Sequence, residues 1–405
     1  MNPRLALFPL STSVNERGHL VIGGCDAVKL AHDFGTPLYI FDEAFLRQRC
    51  REFKAEFGRE YPNPRVVYAG KAFLIKAMAR LLKEEGIGLD VVSGGELGIA
   101  QAAGFPLDQI VFHGNNKSNE EITMGVEWGV GRFVVDNLLE LEILDRVCGE
   151  RSHKQKILPR LCPGVDPHTH KKITTGNIDS KFGFPREQAE DAVTKAMASP
   201  NLELAGLHFH IGSQLFETEP FLEAIDFTLN FAAEMKKKHG FELKELDCGG
   251  GFGISYTIDA LAPPLATFAK ALTSRIKDGC ARLKLALPQL IIEPGRSIVG
   301  SAAVALYTVG AAKQIAGVRT YVPVDGGMGD NVRPAMYQAQ YEAVLANHVN
   351  KPNTKTVSIA GKFCESGDIL INDIMLPETH PGDILAIPDS GAYCIPMSST
   401  THSPG

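Results

Sequence analysis

Short apolar runs of strand character alternate with longer stretches of helical period along most of this chain, and that alternation confines it to parallel-sheet architectures. The runs are Pro37–Phe41, Arg65–Ala69, Gly88–Val92, Ile110–Phe112, Arg132–Val135, Ile157–Cys162, Leu204–Ile211, Leu246–Cys248 and Leu290–Ile292. Between them, Leu74, Ala77, Met78, Leu81 and Leu82 fall at helical spacing, and Phe221–Lys238 is long enough for several helical turns. About eight such units closing on themselves make a (β/α)8 barrel of roughly 250 residues. An open doubly wound sheet would give the same alternation, so the count leaves both in play. After about residue 297 the texture changes. Ala302–Thr308, Thr320–Val324, Thr356–Ile359, Asp383–Ile387 and Ala392–Ile395 are strand-like runs set between Gly, Pro and Asn turns, which predicts a second, all-β domain. Near the start, His19-Leu20-Val21-Ile22 offers a further strand to that domain.

Composition narrows the class of function. The chain has 405 residues, 44% hydrophobic and 22% charged, with a net charge of -6, which argues against a nucleic-acid binder working through bulk positive charge. No apolar run reaches the roughly 18 residues of a membrane helix, and Leu5–Phe8 is broken by Pro9 before it can form a secretory signal. The 8 cysteines form no CxxC pairs, which fits reduced thiols in a cytoplasmic protein.

In a barrel, chemistry collects at the carboxyl ends of the strands. The residues at those ends are Lys71, Asp90 with Ser93, His113, His208 and His210, Gly249-Gly250-Gly251, and Glu293 with Arg296. Lys71 is either a surface lysine or an amine made nucleophilic by desolvation, as a Schiff-base lysine is. The glycine triplet fails the dinucleotide fingerprint, which needs glycine where Ile254 stands, but it suits a single phosphate. Ala72 after Gly70-Lys71 excludes a Walker A loop. His208-x-His210 resembles a metal pair, yet such sites need further ligands at later strand ends, so no metal is expected. A histidine stacked on a flat cofactor beside Ser213 is the better reading of His208–Gln214. Glu293 can keep a pyridinium nitrogen protonated, and Arg296 offers a donor fork for phosphate or carboxylate.

Taken in order, Tyr68-Ala69-Gly70-Lys71-Ala72, His208-Phe209-His210-Ile211-Gly212-Ser213-Gln214, Asp247 to Phe252, Glu293-Pro294-Gly295-Arg296 and Cys364-Glu365-Ser366-Gly367-Asp368 resemble the fold-type III pyridoxal-phosphate decarboxylases. The likeness extends to Pro163-Gly164-Val165-Asp166, His168-Thr169-His170, Thr175-Gly176, Ser180–Gly183, Asp325–Met328 and Arg333–Tyr337, from about residue 30 to 399. It implies a TIM-like (β/α)8 barrel over residues 35–296. It also implies an all-β, Greek-key or sandwich-like domain over 297–405 that takes in residues 1–34. By the same resemblance, Lys71 carries pyridoxal 5'-phosphate and His210 stacks on its ring. Ser213, Gly251 and the Pro294-Gly295-Arg296 segment hold the phosphate, and Glu293 faces the ring nitrogen. Arg296, Arg333 and Tyr337 contact an amino-acid substrate, with Tyr393 near both cofactor and substrate. Cys364, the candidate general acid, and Glu365 reach in from the partner of a homodimer with shared active sites. The family usually has a bulkier residue at Gly70 and Asn at Phe73, and it continues through a last strand after Met397-Ser398-Ser399.

The reaction implied is decarboxylation of meso-diaminopimelate to L-lysine, the last step of lysine biosynthesis. That substrate has a second amino-acid centre, whose carboxylate needs a cation and whose ammonium needs an anion; Arg333 and Glu365 supply both. For ornithine or arginine an unmatched buried Arg333 would be costly. Related substrates, among them carboxylated polyamines and carrier-bound amino acids, are the alternative, and a non-catalytic regulator with this fold is a further one.

Overall fold

The computed structural model describes residues 2–165 and 180–399; Asp166, His168-Thr169-His170 and Thr175-Gly176 lie outside the described residues. The chain forms two compact units, one of Cys50–Gly253 with Pro263–Gly295, the other of Met1–Arg49, Ile254–Ala262 and Arg296–Gly405.

The first unit is a closed parallel barrel. Its eight strands in chain order are Arg65–Ala69, Gly88–Val91, Ile110–Phe112, Arg132–Val135, Gln155–Leu161, Gly206–Phe209, Glu245–Asp247 and Gln289–Ile292. Each pairs in parallel with the next, and the eighth returns to the first. Val67, Val111, Val134, Leu158, Ala205 and Ile291 pack together in a buried cluster contributed by the strands and their approaches. β-Branched and leucine side chains fill such an interior because they pack on a pleated surface. Arg132 and Glu245, each the first residue of its strand, form a forked pair at 2.5 Å on both arms. That pair marks the amino-terminal end of the barrel, opposite the candidate site. Helix starts are specified locally: Ser93 and Asn137 cap the helices that follow, and Ser118 with Glu121 makes a capping box.

The second unit is β-rich. In one sheet Leu38–Phe41, Ala303–Thr308, Ile384–Ile387 and Val344–Leu345 are all antiparallel. In another, Lys313–Ile315, Arg319–Pro323, Lys355–Ala360 and Ile369–Leu376 pair, the middle two in parallel. Leu20 and Ile22 are buried with Val304, Leu306 and Ile384, and the Leu20 amide donates to the Ala346 carbonyl at 2.7 Å. One strand-like run is reassigned. Pro37–Phe41 was read with the barrel series, but Leu38–Phe41 pairs with Ala303–Leu306. The other eight runs already close the barrel. Leu38–Phe41 is also only half-buried along its whole length, unlike the fully buried barrel strands Gly88–Val91 and Arg132–Val135.

Candidate active site

Within the barrel unit the strand ends bring one group of polar residues together. Lys71 sits on the 3-10 turn Gly70–Ala72 that follows the first strand. Its side chain is 37% exposed, and its Nζ lies 3.9 Å from Asp90 Oδ2. A Cβ at residue 70 would stand 2.8 Å from the Asp90 carbonyl oxygen, so the bulkier residue usual in the family would force the second strand to shift.

Glu293 follows the eighth strand and is buried, its Oε1 2.6 Å from His113 Nε2 and its Oε2 3.4 Å from His208 Nε2. Burial alone would raise its pKa, but His113 and then His208 hold the carboxyl well below the ordinary glutamate range. The neighbouring Asp247 goes the other way: burial, then the charge of Glu293, pushes it well above the ordinary aspartate range. The coupled pair favours one negative charge between the two acids, and the 2.6 Å contact from His113 favours holding it on Glu293. Burial takes His208 down to about 3. Burial and the nearby Lys71 cation hold His210 well below its ordinary value. Both shifts favour the neutral ring.

The glycine triplet is required by backbone approach. Gly249 and Gly251 have φ of +63° and +114°, a region other residues avoid. A Cβ on Gly250 would come within 2.1 Å of the Glu293 carbonyl oxygen, and one on Gly251 within 2.5 Å of that of Gly212. Asp247 Oδ1 accepts from the Gly249 amide at 2.9 Å, and the Gly250 amide donates to His210 Nδ1 at 3.2 Å, which fixes the ring. Ser213 is half-buried in the loop that supplies Gly212. Pro294 and Gly295 return to the first strand: the Ala69 amide donates to the Pro294 carbonyl, and a Cβ on Gly295 would meet that of Ala69 at 3.0 Å. A reachable amine, a bare glycine cradle, a fixed neutral imidazole and a buried ionised carboxylate are the donor set that pyridoxal phosphate requires. These residues fit it.

His113, His208, Asp247 and Glu293 each place one ligand atom within 4.8 Å of the others, a spacing a metal ion could use. This corrects the premise that later strand ends supply no further ligands, since Asp247 and Glu293 do. In this structure the set is internally paired through the His113–Glu293 hydrogen bond.

In the β unit a second group forms around Tyr256. Arg296 donates to its hydroxyl at 2.7 Å, and the Arg333 guanidinium lies 4.6 Å from its ring centroid. Arg333 is 5% exposed, begins the short helix Arg333–Tyr337, and also donates to the Tyr341 hydroxyl. No carboxylate oxygen lies within 4 Å of it among the described residues. Tyr393 lies 4.7 Å from the Arg296 guanidinium and has a φ of +60°, an uncommon conformation for an aromatic residue and typical of strained functional positions. Tyr337, at the end of the same short helix as Arg333, is half-buried. Cys364 and Glu365 lie elsewhere, on an exposed loop. Asp368 anchors that loop by accepting from the Met328 and Phe363 amides at 2.6 and 2.9 Å. The sequence reading had passed over Tyr256 and Tyr341, and it left Asp90, His113 and Asp368 without roles.

Comparison with known proteins places this arrangement. Residues 43–300 match the family model of the pyridoxal-dependent decarboxylase, pyridoxal binding domain. The diaminopimelate decarboxylase of Bacillus subtilis is 49% identical over 95% of this chain and 88% of its own length. That of Synechocystis is 42% identical over 100% and 88%. The crystal structure of the M. jannaschii diaminopimelate decarboxylase superposes with a TM-score of 0.89 at 37% identity, covering 98% of this chain and 91% of that one. A lysine/ornithine decarboxylase of Vibrio vulnificus, at 24% identity and a TM-score of 0.79, shares the fold. The chain belongs to the pyridoxal-phosphate-dependent decarboxylases and, within them, to the diaminopimelate decarboxylase family.

Proposed function

We propose that this chain decarboxylates meso-diaminopimelate to L-lysine and CO2, with pyridoxal phosphate held in the barrel. The observation that carries the choice of substrate is Arg333. A guanidinium stays charged at any physiological pH, and a buried one with no carboxylate oxygen within 4 Å among the described residues calls for an anion, the buried Asp389 acting on it only from farther off. The distal carboxylate of diaminopimelate is such an anion, and ornithine and arginine have none. The M. jannaschii relative has been solved with L-lysine, the product proposed here.

Bound pyridoxal phosphate supplies an electron sink for the pair left behind when CO2 departs. Lys71 would hold it covalently, and His210 would cover one face of its ring. Ser213, Gly251 and Pro294-Gly295-Arg296 would bind its phosphate, and Glu293 would face its ring nitrogen as a carboxylate. Arg296, Tyr337 and Tyr393 would orient the reacting end of the substrate. Arg333 and Glu365 would take its distal carboxylate and ammonium, and Cys364 would deliver a proton to the carbon that loses CO2. We also propose the domain division of the sequence reading, a cofactor-binding barrel over 35–296 and a β domain of 1–34 with 297–405, shifted at its first boundary so that Leu38–Phe41 counts with the β domain. No helix among the described residues is long and apolar enough to cross a membrane. A cytoplasmic homodimer without a nucleic-acid partner accords with that and with the net charge of -6.

Purified protein given pyridoxal phosphate and meso-diaminopimelate should release lysine and CO2 in equal amounts. Turnover of ornithine or arginine with none of diaminopimelate would overturn the substrate assignment. For the shared sites, Lys71→Ala and Cys364→Ala proteins, each inactive, should regain activity on mixing. Random exchange makes about half the dimers mixed, each with one intact site of two, so recovery should approach roughly a quarter of the wild-type rate. No recovery after demonstrated subunit exchange would put Cys364 and Lys71 of one site on the same chain.

A further inference from the structure

His113 has no part in the functional reading above, yet it makes the shortest polar contact to Glu293. It follows the third barrel strand, and its amide donates to the Val91 carbonyl at 2.8 Å, which anchors the backbone at that point. Its ring is 5% exposed, with Nε2 2.6 Å from Glu293 Oε1. An ionised carboxylate has no proton to give, so the proton in this bond is on Nε2 and the imidazole donates. Glu293 is 180 residues away in sequence, at the end of the eighth strand.

The other groups facing Glu293 hold it less closely than His113 does. His208 Nε2 is 3.4 Å away with no hydrogen bond formed; its ring lies edge-on to His113 with centroids 4.9 Å apart. Asp247, pushed toward its neutral form, is committed through Oδ1 to the Gly249 amide, and Asp90 is 3.9 Å from His113 Nε2. Arg160 and His210 act on Glu293 only through longer-range charge. Lys71 is held beside Asp90.

We propose that His113 is a positioning residue for the decarboxylation: its Nε2–H pins the Glu293 carboxylate so that the free oxygen meets the cofactor's ring nitrogen. The inference rests on the role given to Glu293 above. His208 packs edge-on against His113 and supports the same carboxylate from 3.4 Å, second to His113. Burial opposes ionisation of Glu293 and the His113 contact counteracts it, which agrees with this role.

The test uses the holoenzyme and a cycle of variants. His113→Phe should lower kcat by about 10- to 100-fold, the scale of a lost hydrogen bond to a charged group, with KM for diaminopimelate within about threefold. His113→Gln keeps an amide donor of similar reach and should recover kcat to within about fivefold of wild type. If His113 works through Glu293, its removal in a Glu293→Gln background should change kcat by less than about twofold. The dissociation constant for pyridoxal phosphate, followed by absorbance without substrate, should show the same non-additivity. Should His113→Phe not fold, His113→Asn, whose amide is a methylene too short, takes its place with the same expectations. An equal loss in both backgrounds, or a kcat within twofold of wild type, would overturn the proposal. Because the cofactor titration needs no substrate, failure of the diaminopimelate assay alone would sink the substrate reading and leave this one standing.

Discussion

Lys71→Ala protein should retain no covalently held cofactor and should lose decarboxylation on the order of 10⁶-fold, the scale seen when a hydrolase loses its nucleophile. The structure narrows the choice of lysine by elimination. Among the described residues, Lys117, in the loop after the third strand, is another lysine near the carboxyl ends of the strands, and its ammonium is fully used. It donates to the carbonyls of Gly114 and Val134 at 2.9 and 2.8 Å and to Glu140 at 2.6 Å. An ammonium has three protons, so none is left for chemistry. Lys71 is instead partly exposed, with a longer 3.9 Å approach to Asp90. Burial raises the pKa of Asp90, while His113 and Lys71 oppose that rise. Asp90 is therefore a soft partner that can release the amine. Borohydride reduction of the holoenzyme followed by peptide mass analysis should place the cofactor on Lys71 and on no peptide containing Lys117. Wild-type turnover by the Lys71→Ala protein would undo the assignment of the whole barrel site.

The parts of this site that were legible in the sequence share one property: each stands where a contiguous apolar run stops. Lys71 after Val66–Ala69, the glycines after Leu246–Cys248 and Glu293 after Leu290–Ile292 are displayed by the strand pattern itself. What could not be read is what depends on closure. His113 and Glu293 meet because the third and eighth strands of a barrel point side chains toward a common axis, and no local pattern encodes a contact across 180 residues. The same closure exposes Pro37–Phe41 as a ninth run with no place in an eight-stranded ring. Tyr256 was hidden for another reason. It lies in Ile254–Ala262, a segment that departs from the barrel chain to join the β unit, and its ring then lies against Arg333. A sequence signal for Asp247 did exist. An Asp two residues before a glycine of positive φ is placed to accept that glycine's amide, as Oδ1 does here.

Arg333→Ala should cut kcat/KM for diaminopimelate by a factor of at least about thirty while the cofactor absorbance survives. The guanidinium can meet the distal carboxylate through two parallel N–H bonds, and such charge-assisted pairs are the strong ones. Truncation strands the substrate anion in a partly desolvated pocket at a cost of roughly 2–5 kcal/mol, and the lower end gives that factor. The structure also supplies the competing account. Arg333 lies over Tyr256 at 4.6 Å and 5.5 Å from the Tyr341 ring, with a hydrogen bond to the Tyr341 hydroxyl, so it also knits the β unit together. Cation–π contacts of this kind contribute on the order of 0.5–2 kcal/mol, enough to lower a melting temperature without touching specificity. Arg333→Lys separates the two roles. A lysine keeps the charge and much of the aromatic contact, but it lacks the fork that matches a carboxylate. If Arg333 reads the substrate, the Lys variant should melt near the wild-type temperature yet lose most of the preference for diaminopimelate over lysine and ornithine. If Arg333 only braces the β unit, the Ala variant should melt early, the Lys variant much less so, and both should keep full specificity while folded, and that result would remove the main physical reason for choosing diaminopimelate over a simple diamine precursor.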